Sequence, residues 1–439
     1  MARMLESEEA ARRLGVKVTT LYAYVSRGQL ASHPAPSGRR SLFDMDEVER
    51  LARRSRQGKT VETRMVTITT GITQLTDEGP IYRGRRATEL ANEASFEEVA
   101  EWLWSVTPED SAAEDSAPDD SAPGGRYRPP GLPGHGSVGA GATGVEVPPW
   151  AALPLGRPPE VGSSDRMRWA VVMAGAHNSL RADLRPESVT RAARGAAASM
   201  VAALAPSHRD RTGGRDAPPA RLVVAGRTRH DSMAERLAGR LSPAPTEDLV
   251  RGINAALVLL ADHELATSTV AVRVAASTRA DIGDALLAGL GTLAGPLHGG
   301  ASQLAYSMLV AAERDGVERA LDDTLRWQGL LPGFGHTVYK TGDPRFTVLW
   351  ELFGRLAPAE HVALVRSVTE VAADHAVPLP NVDLALAAIT WATGMAPDAG
   401  RTLFAVARVA GWVAHYLEEL AERPLRYRAR AVYSTSDRV

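Results

Sequence analysis

The chain has no cysteine in 439 residues. That removes disulfides, thiolate nucleophiles and cysteine-held metals from consideration. It also has no long apolar run. The most apolar stretch, "INAALVLLADHELATSTVAV", is broken by Asp262, His263 and Glu264 well before it could span a bilayer, so no transmembrane helix is expected. Net charge is nearly absent too: 50 Lys and Arg face 52 Asp and Glu, which gives no chain-wide surface for nucleic acid or membrane and leaves only local patches. P-loop, HExxH and EF-hand patterns are missing, so neither a metal site nor a resident cofactor is expected. The opening "MARMLESEEAARR" holds three glutamates and no apolar core; no signal peptide is read, and a cytoplasmic location is the expectation.

What is present is enough chain for two or three domains and a large core. Ser7, followed by Glu8 and Glu9, signals a helix start, with Gly15 to close it; Thr19 opens a second short helical pattern, closed by Gly28. A Pro/Gly turn carrying Arg39 and Arg40 follows, then a third pattern, "DMDEVERLARRSRQ". Residues 1–58 hold 11 Arg or Lys against 7 Asp or Glu, a local surplus of +4. This segment resembles the winged helix-turn-helix of MerR-like and excisionase-type DNA-binding domains. Its second helix offers Thr20, Tyr22, Tyr24, Ser26 and Arg27 but no Asn, Gln or Lys to read base edges, so a DNA contact and a protein-contact module both stay open.

"VTITTGITQLTDEGPIYRG" alternates as short strands do, with a turn at residues 77–80, and "SFEEVAEWLW" predicts a helix capped by Ser95 with Glu98 three residues on. Residues 107–149 are acidic, repetitive and rich in Pro, Gly and Ser, and are expected to be a disordered insertion. Within them "GAGATG" has the letters of a dinucleotide loop, but it lies among prolines rather than between strand and helix and is set aside. From about Ser163 the chain reads almost wholly as helix, apart from a loop near residue 210.

Polar groups interrupt this helical pattern at a few places: His263 in "LLADHELATSTV", His298 in "GPLHGGASQ", His336 and Arg345 in "LPGFGHTVYKTGDPR", Asp383 in "LPNVDLALAAI" and Arg408 in "LFAVARVAGWVAHY". Each has a plain reading: a satisfied core histidine, an N-cap for Asp383, a solvated turn charge for Arg345. Arg408 resists one, because a buried guanidinium needs an anion and positions 404, 405, 411 and 412 carry none. Together the six groups suit a dicarboxylate substrate, with two guanidinium forks for two carboxylates, imidazole donors for carbonyl oxygens and one aspartate to move a proton.

At these residues the chain resembles the citrate synthase family. The likeness runs from about Val66 to the C-terminus, through "GPIYRGRRATELANEASFEEVAEWLW", "DHELATSTVAVRVAAST", "GPLHGGAS", "PGFGHTVYKTGDPR", "PNVD" and "FAVARVAGWVAH" in the family's order. The resemblance implies a mainly α fold with a large helical domain (62–297 with 384–439) and a small one (298–383), closing over a cleft in a homodimer. It implies condensation of acetyl-CoA with oxaloacetate, both as substrates, or of propionyl-CoA in methylcitrate members. It assigns His298 to the thioester carbonyl, Asp383 to the α-proton and His336 to the ketone, with His263, Arg345 and Arg408 binding oxaloacetate. Arg428, in "YRARAVY", matches an arginine supplied by the neighbouring subunit, although Ala429 stands where the family has proline. Ala266-Thr267 replaces the family's usual Asn-Ala, and Ser302 its usual Asn. A metabolite-sensing DNA-binding regulator built on the same domain is the competing reading. His298, just ahead of a helix N-terminus, is expected to stay neutral.

Overall fold

The computed structural model describes residues 67–105, 150–206, 232–295, 298–375 and 377–428, and nearer the N-terminus 4–14, 30–34, 41–45 and isolated positions between 16 and 48. The expected insertion at 107–149, the loop near 210 and most of the second and third N-terminal helices lie outside the described residues. Packing divides the chain into Met1–Thr69 and Thr70–Val439.

In the first unit, strand β1 (Met4–Glu6) leads into helix α1 (Ser7–Leu14), with β2 (His33–Pro34) and β3 (Ser41–Asp44) completing a three-stranded antiparallel sheet of order β1-β3-β2. Glutamates in the first turn of α1 and arginines in the last complement its dipole. Leu5, Ala10, Ala11, Leu14, Leu21, Leu30, Phe43 and Val48 form this unit's own core.

The second unit opens on a small antiparallel sheet of β4 (Thr73–Thr76), β5 (Gly79–Tyr82) and β6 (Arg85–Arg86), with the expected turn between β4 and β5. Helices α2 (Ala87–Glu93) and α3 (Phe96–Trp104) follow. The predicted cap of α3 is a full capping box: Ser95 accepts from the Glu98 backbone N–H and Glu98 accepts from that of Ser95. Next come α4 (Ser163–His177), α5 (Pro186–Ala203), α6 (Met233–Leu241), α7 (Glu247–Leu260), α8 (Thr267–Ser277), α9 (Ile282–Leu293), α10 (Ala301–Asp315) and α11 (Val317–Gln328). The last four are α12 (Pro344–Leu356), α13 (Ala359–Asp374), α14 (Val382–Ala392) and α15 (Ala399–Ala421).

Helix α15 is apolar on nearly every face and therefore sits in the core, packed against α3, α5, α7, α8 and α9. Helix α14 packs on α10 and α12, and α12 on α7. The mainly helical expectation holds for the described residues from Ser163 onward.

A charged network runs through the packed helices. Arg273 on α8, fully buried, donates to Glu419 at 2.9 Å and to Nδ1 of His415 at 2.9 Å, both on α15. The other His415 nitrogen meets Asp262 at 3.2 Å, and Glu419 accepts from Arg426 and Tyr427. One buried arginine thus ties the end of α7, α8, α15 and the C-terminal turn together. No helix among the described residues is long and apolar enough to cross a membrane.

Candidate active site

His263 follows the C-terminus of α7, where the last carbonyls lack helical partners. Tyr82, buried on β5, places its hydroxyl within 3.0–3.2 Å of the Val258, Leu259 and Asp262 carbonyls and accepts the Asp262 N–H at 3.2 Å. Arg408 donates through Nε to the Leu260 carbonyl at 3.0 Å. Asp262 accepts the Glu264 N–H, and Glu264 adopts φ +54°, so the backbone turns sharply and leaves the His263 ring half-buried.

The loop from Gly333 to Asp343 carries His336. Gly333 has φ +86°, and a side chain there would meet the Leu384 backbone and Cβ at 2.8–3.1 Å, so only glycine lets this loop lie on the start of α14. His336 Nδ1 accepts the backbone N–H of Val338 at 3.0 Å and of Tyr339 at 3.3 Å. A neutral imidazole that accepts at Nδ1 carries its proton on Nε2. That nitrogen lies 3.4 Å from Nη2 of Arg345. Two donors at this separation do not bond each other; one acceptor placed between them would take both.

Arg345 is buried at the start of α12 and held bidentately by Asp343, at 2.9 Å on both arms. Asp343 also accepts the Val382 N–H at 3.0 Å, joining Arg345 to the helix that bears Asp383. Of the two forks expected to await carboxylates, Arg345 therefore has a partner within the chain. Arg408 has no carboxylate in ion-pair range among the described residues, its Nη1 is buried without a hydrogen-bond partner, and it lies 4.7 Å over the Phe404 ring.

Asp383 is not the cap of α14. Asn381 takes that place, accepting the Asp383 N–H at 2.9 Å, so the aspartate's own carboxylate is left for other work. Burial pushes its pKa up to about 6; Arg345 opposes this, Asp343 adds to it, and the nearby Ser302 backbone N–H lowers it. Ser302 acts on Asp383 through its backbone N–H, a group that the departure noted at that position does not change. At the other departure, Ala266 stands at the N-cap of α8 and supplies no side-chain cap.

His298 hydrogen-bonds Ser268 Oγ through Nε2 at 2.8 Å, and Trp412 donates to the same oxygen at 3.3 Å. With Trp412 donating to its oxygen, the serine keeps its own proton available for Nε2, an arrangement in which the imidazole carries its proton on Nδ1. Beside His298, Gly299 passes so close to Leu293 that a Cβ would lie 2.4 Å from its carbonyl oxygen; this glycine is required by packing.

The electrostatics agree across the group. Burial, then Arg345 and Arg408, hold His263 far below the usual imidazole range; burial, then Arg408, lower His298; burial, then Arg345, bring His336 down to about 4. All three rings are neutral at pH 7. The expected neutrality of His298 thus has burial as its main cause rather than the helix end.

His263 and His336 meet edge to face at 5.3 Å, His298 lies 6.1 Å from Phe404 beneath Arg408, and Asp383 lies within the electrostatic reach of Arg345 and Asp343. Arg428 is exposed beyond α15, and no contact among the described residues links it to the others. Tyr339, Ser268, Asp343, Asn381 and Tyr82 belong to the site and were not singled out from sequence. Only "GDPR" carried a signal, an Asp before Pro at a helix start. No three His, Asp or Glu side chains among the described residues gather as metal ligands would.

Residues 62–430 match the family model "Citrate synthase, C-terminal domain", and residues 4–56 match "Helix-turn-helix domain". The "2-methylcitrate synthase 2" of Corynebacterium glutamicum is 30% identical over 356 residues, 78% of this chain and 86% of that one. The "Citrate synthase 2" of Bacillus subtilis is 38% identical over 202 residues, 45% of this chain; the match spans about half (53%) of that relative's length. The crystal structure of citrate synthase from Thermotoga maritima superposes with TM-score 0.59 at 25% identity, covering 87% of this chain and 97% of that one. The fold is shared as well by the citrate synthase of Thermoplasma acidophilum, solved as a ternary complex with carboxymethyl coenzyme A and oxaloacetate (TM-score 0.57, 21% identity, 86% and 96% covered).

Proposed function

Since the chain belongs to the citrate synthase family, a family of acyltransferases, we propose that it joins the methyl carbon of acetyl-CoA to the ketone carbon of oxaloacetate and hydrolyses the citryl-CoA thioester to citrate and CoA. The observation that carries this reading is the company of Asp383: a half-buried carboxylate with a pKa of about 6, among neutral imidazoles and two buried guanidiniums. A thioester α-proton is weakly acidic and a carboxylate is a weak base, so the enolate has to be stabilised as it forms. Asp383 removes the proton, a step where a positioned base contributes roughly 10²–10⁴-fold. His298 donates through Nδ1 to the thioester oxygen, worth about 3–4 kcal/mol. His336 Nε2 and Arg345 share the ketone oxygen and donate to the alkoxide as it develops. Arg408, which has no carboxylate in ion-pair range among the described residues, takes a substrate carboxylate, His263 supports that end of the site from behind, and Arg428 reaches the site from a second copy of the chain in a homodimer.

The test is release of free CoA from acetyl-CoA or propionyl-CoA with oxaloacetate. No release with either ends the proposal, and faster turnover of propionyl-CoA makes the product 2-methylcitrate.

A second, compatible reading is DNA binding through residues 1–58, favoured by the helix-turn-helix match and the local +4 charge.

A further inference from the structure

Tyr339 stands among the oxaloacetate-side groups, 3% exposed. Its ring stacks on His336 at 4.6 Å and 23°, and Arg345 lies 5.2 Å from its centroid. Its hydroxyl bonds His263 Nε2 at 3.0 Å and has no other hydrogen-bond partner among the described residues. A phenol oxygen both accepts and donates, and this one contact uses only one of those capacities. Burial pushes the phenol up to about 12 and holds His263 well down, so both groups are neutral and the pair holds two protons. A dianion drawn in by Arg408 would supply the acceptor at the hydroxyl end of this pair. Chains of hydrogen bonds polarise toward such an acceptor, N–H to O–H to carboxylate.

Resting on the synthase reading above, we propose that Tyr339 is a substrate-binding residue: its oxygen accepts the Nε2 proton of His263, its hydroxyl donates to a carboxylate oxygen of oxaloacetate, and its ring keeps His336 in plane.

Tyr339→Phe keeps the ring and its packing and removes only the hydroxyl. Titration calorimetry of oxaloacetate into the full-length protein reads binding without turnover. The expected result is a loss of affinity of roughly tenfold or more, the usual worth of a hydrogen bond to a charged group. KM for oxaloacetate rises in step, and kcat stays within about threefold. Unchanged affinity overturns the proposal, and so does a gain, which would mean that Tyr339 competes with substrate for His263. A second readout needs no variant at Tyr339. Nitrogen-15 histidine spectra of the wild-type protein with oxaloacetate, assigned with His263→Asn, are expected to find His263 protonated at Nε2; protonation at Nδ1 overturns the proposal. Failure of the synthase reading looks different: the wild type releases no CoA, while oxaloacetate still binds and Tyr339→Phe still weakens it.

Discussion

A carboxylate that titrates near pH 6 is a better proton acceptor than one in water, and it is still ionised at pH 7. Asp383→Ala is therefore expected to lower CoA release by 10²–10⁴-fold while calorimetry finds oxaloacetate binding largely kept. A variant as active as wild type removes Asp383 from the mechanism. The same shift sets two pH dependences. kcat/KM falls on the acid side below about pH 6 as the base is protonated. Stability moves the other way. Because the folded pKa is above the ordinary 3.8, the native state binds this proton more tightly between about pH 4 and 6, and the Asp383 contribution to stability falls as pH rises through that window. Asp383→Asn should accordingly raise the thermal midpoint at pH 7 but not at pH 4. The residues found from sequence are those whose polarity contradicts an apolar helix or a glycine-rich turn. Tyr339, Ser268 and Tyr82 contradict nothing locally; their meaning lies in partners between 30 and 180 positions away, which periodicity does not report.

Helix starts are where sequence and structure agree best, because caps are local: Ser95 with Glu98 was legible three residues at a time. Asn381 shows the limit of that rule. The plain local reading makes Asp383 the cap, but Asn381 takes that place and is fixed by the facing loop, to which it donates through Nδ2 at the Gly335 carbonyl (2.6 Å) and through its backbone N–H at the Gly333 carbonyl (2.9 Å). One side chain thus fixes the His336 loop against the helix of Asp383. Asn381→Ala is expected to cost about 2 kcal/mol, a lost cap plus a lost hydrogen bond. It should also lower kcat on the order of 10²-fold, since both reacting groups shift. Urea unfolding and steady-state kinetics on the same preparation check this, and a normal kcat would show that the loop is held without it. The charged network is a second element-scale device that no periodicity displays. Arg273→Met leaves Glu419 buried with only the Arg426 side of its pairing and should lower the urea midpoint by the equivalent of roughly 3 kcal/mol.

At the scale of the whole molecule, two cores share one chain. Residues 4–48 contribute the apolar side chains of the first, and every contact described among the candidate catalytic groups lies within Thr70–Val439. The catalytic unit was legible because its helices are long and amphipathic and its polar interruptions fall in a fixed order. The first unit was legible only as a class, since short helices with few base-reading side chains suit DNA and protein partners alike. Deleting residues 1–58 separates the two roles. CoA release by the shortened chain is expected to stay within about twofold of the full-length rate, because no group in the proposed chemistry is removed. DNA retardation in gels at moderate salt, if the full-length protein shows it, should disappear. It should also weaken steeply as salt rises, as phosphate contacts by a basic segment require. Retardation that survives the deletion would move the contact elsewhere. A change in retardation on adding oxaloacetate to the full-length protein would mean that the occupied site biases the reader, and by linkage DNA would then alter oxaloacetate affinity by the same factor.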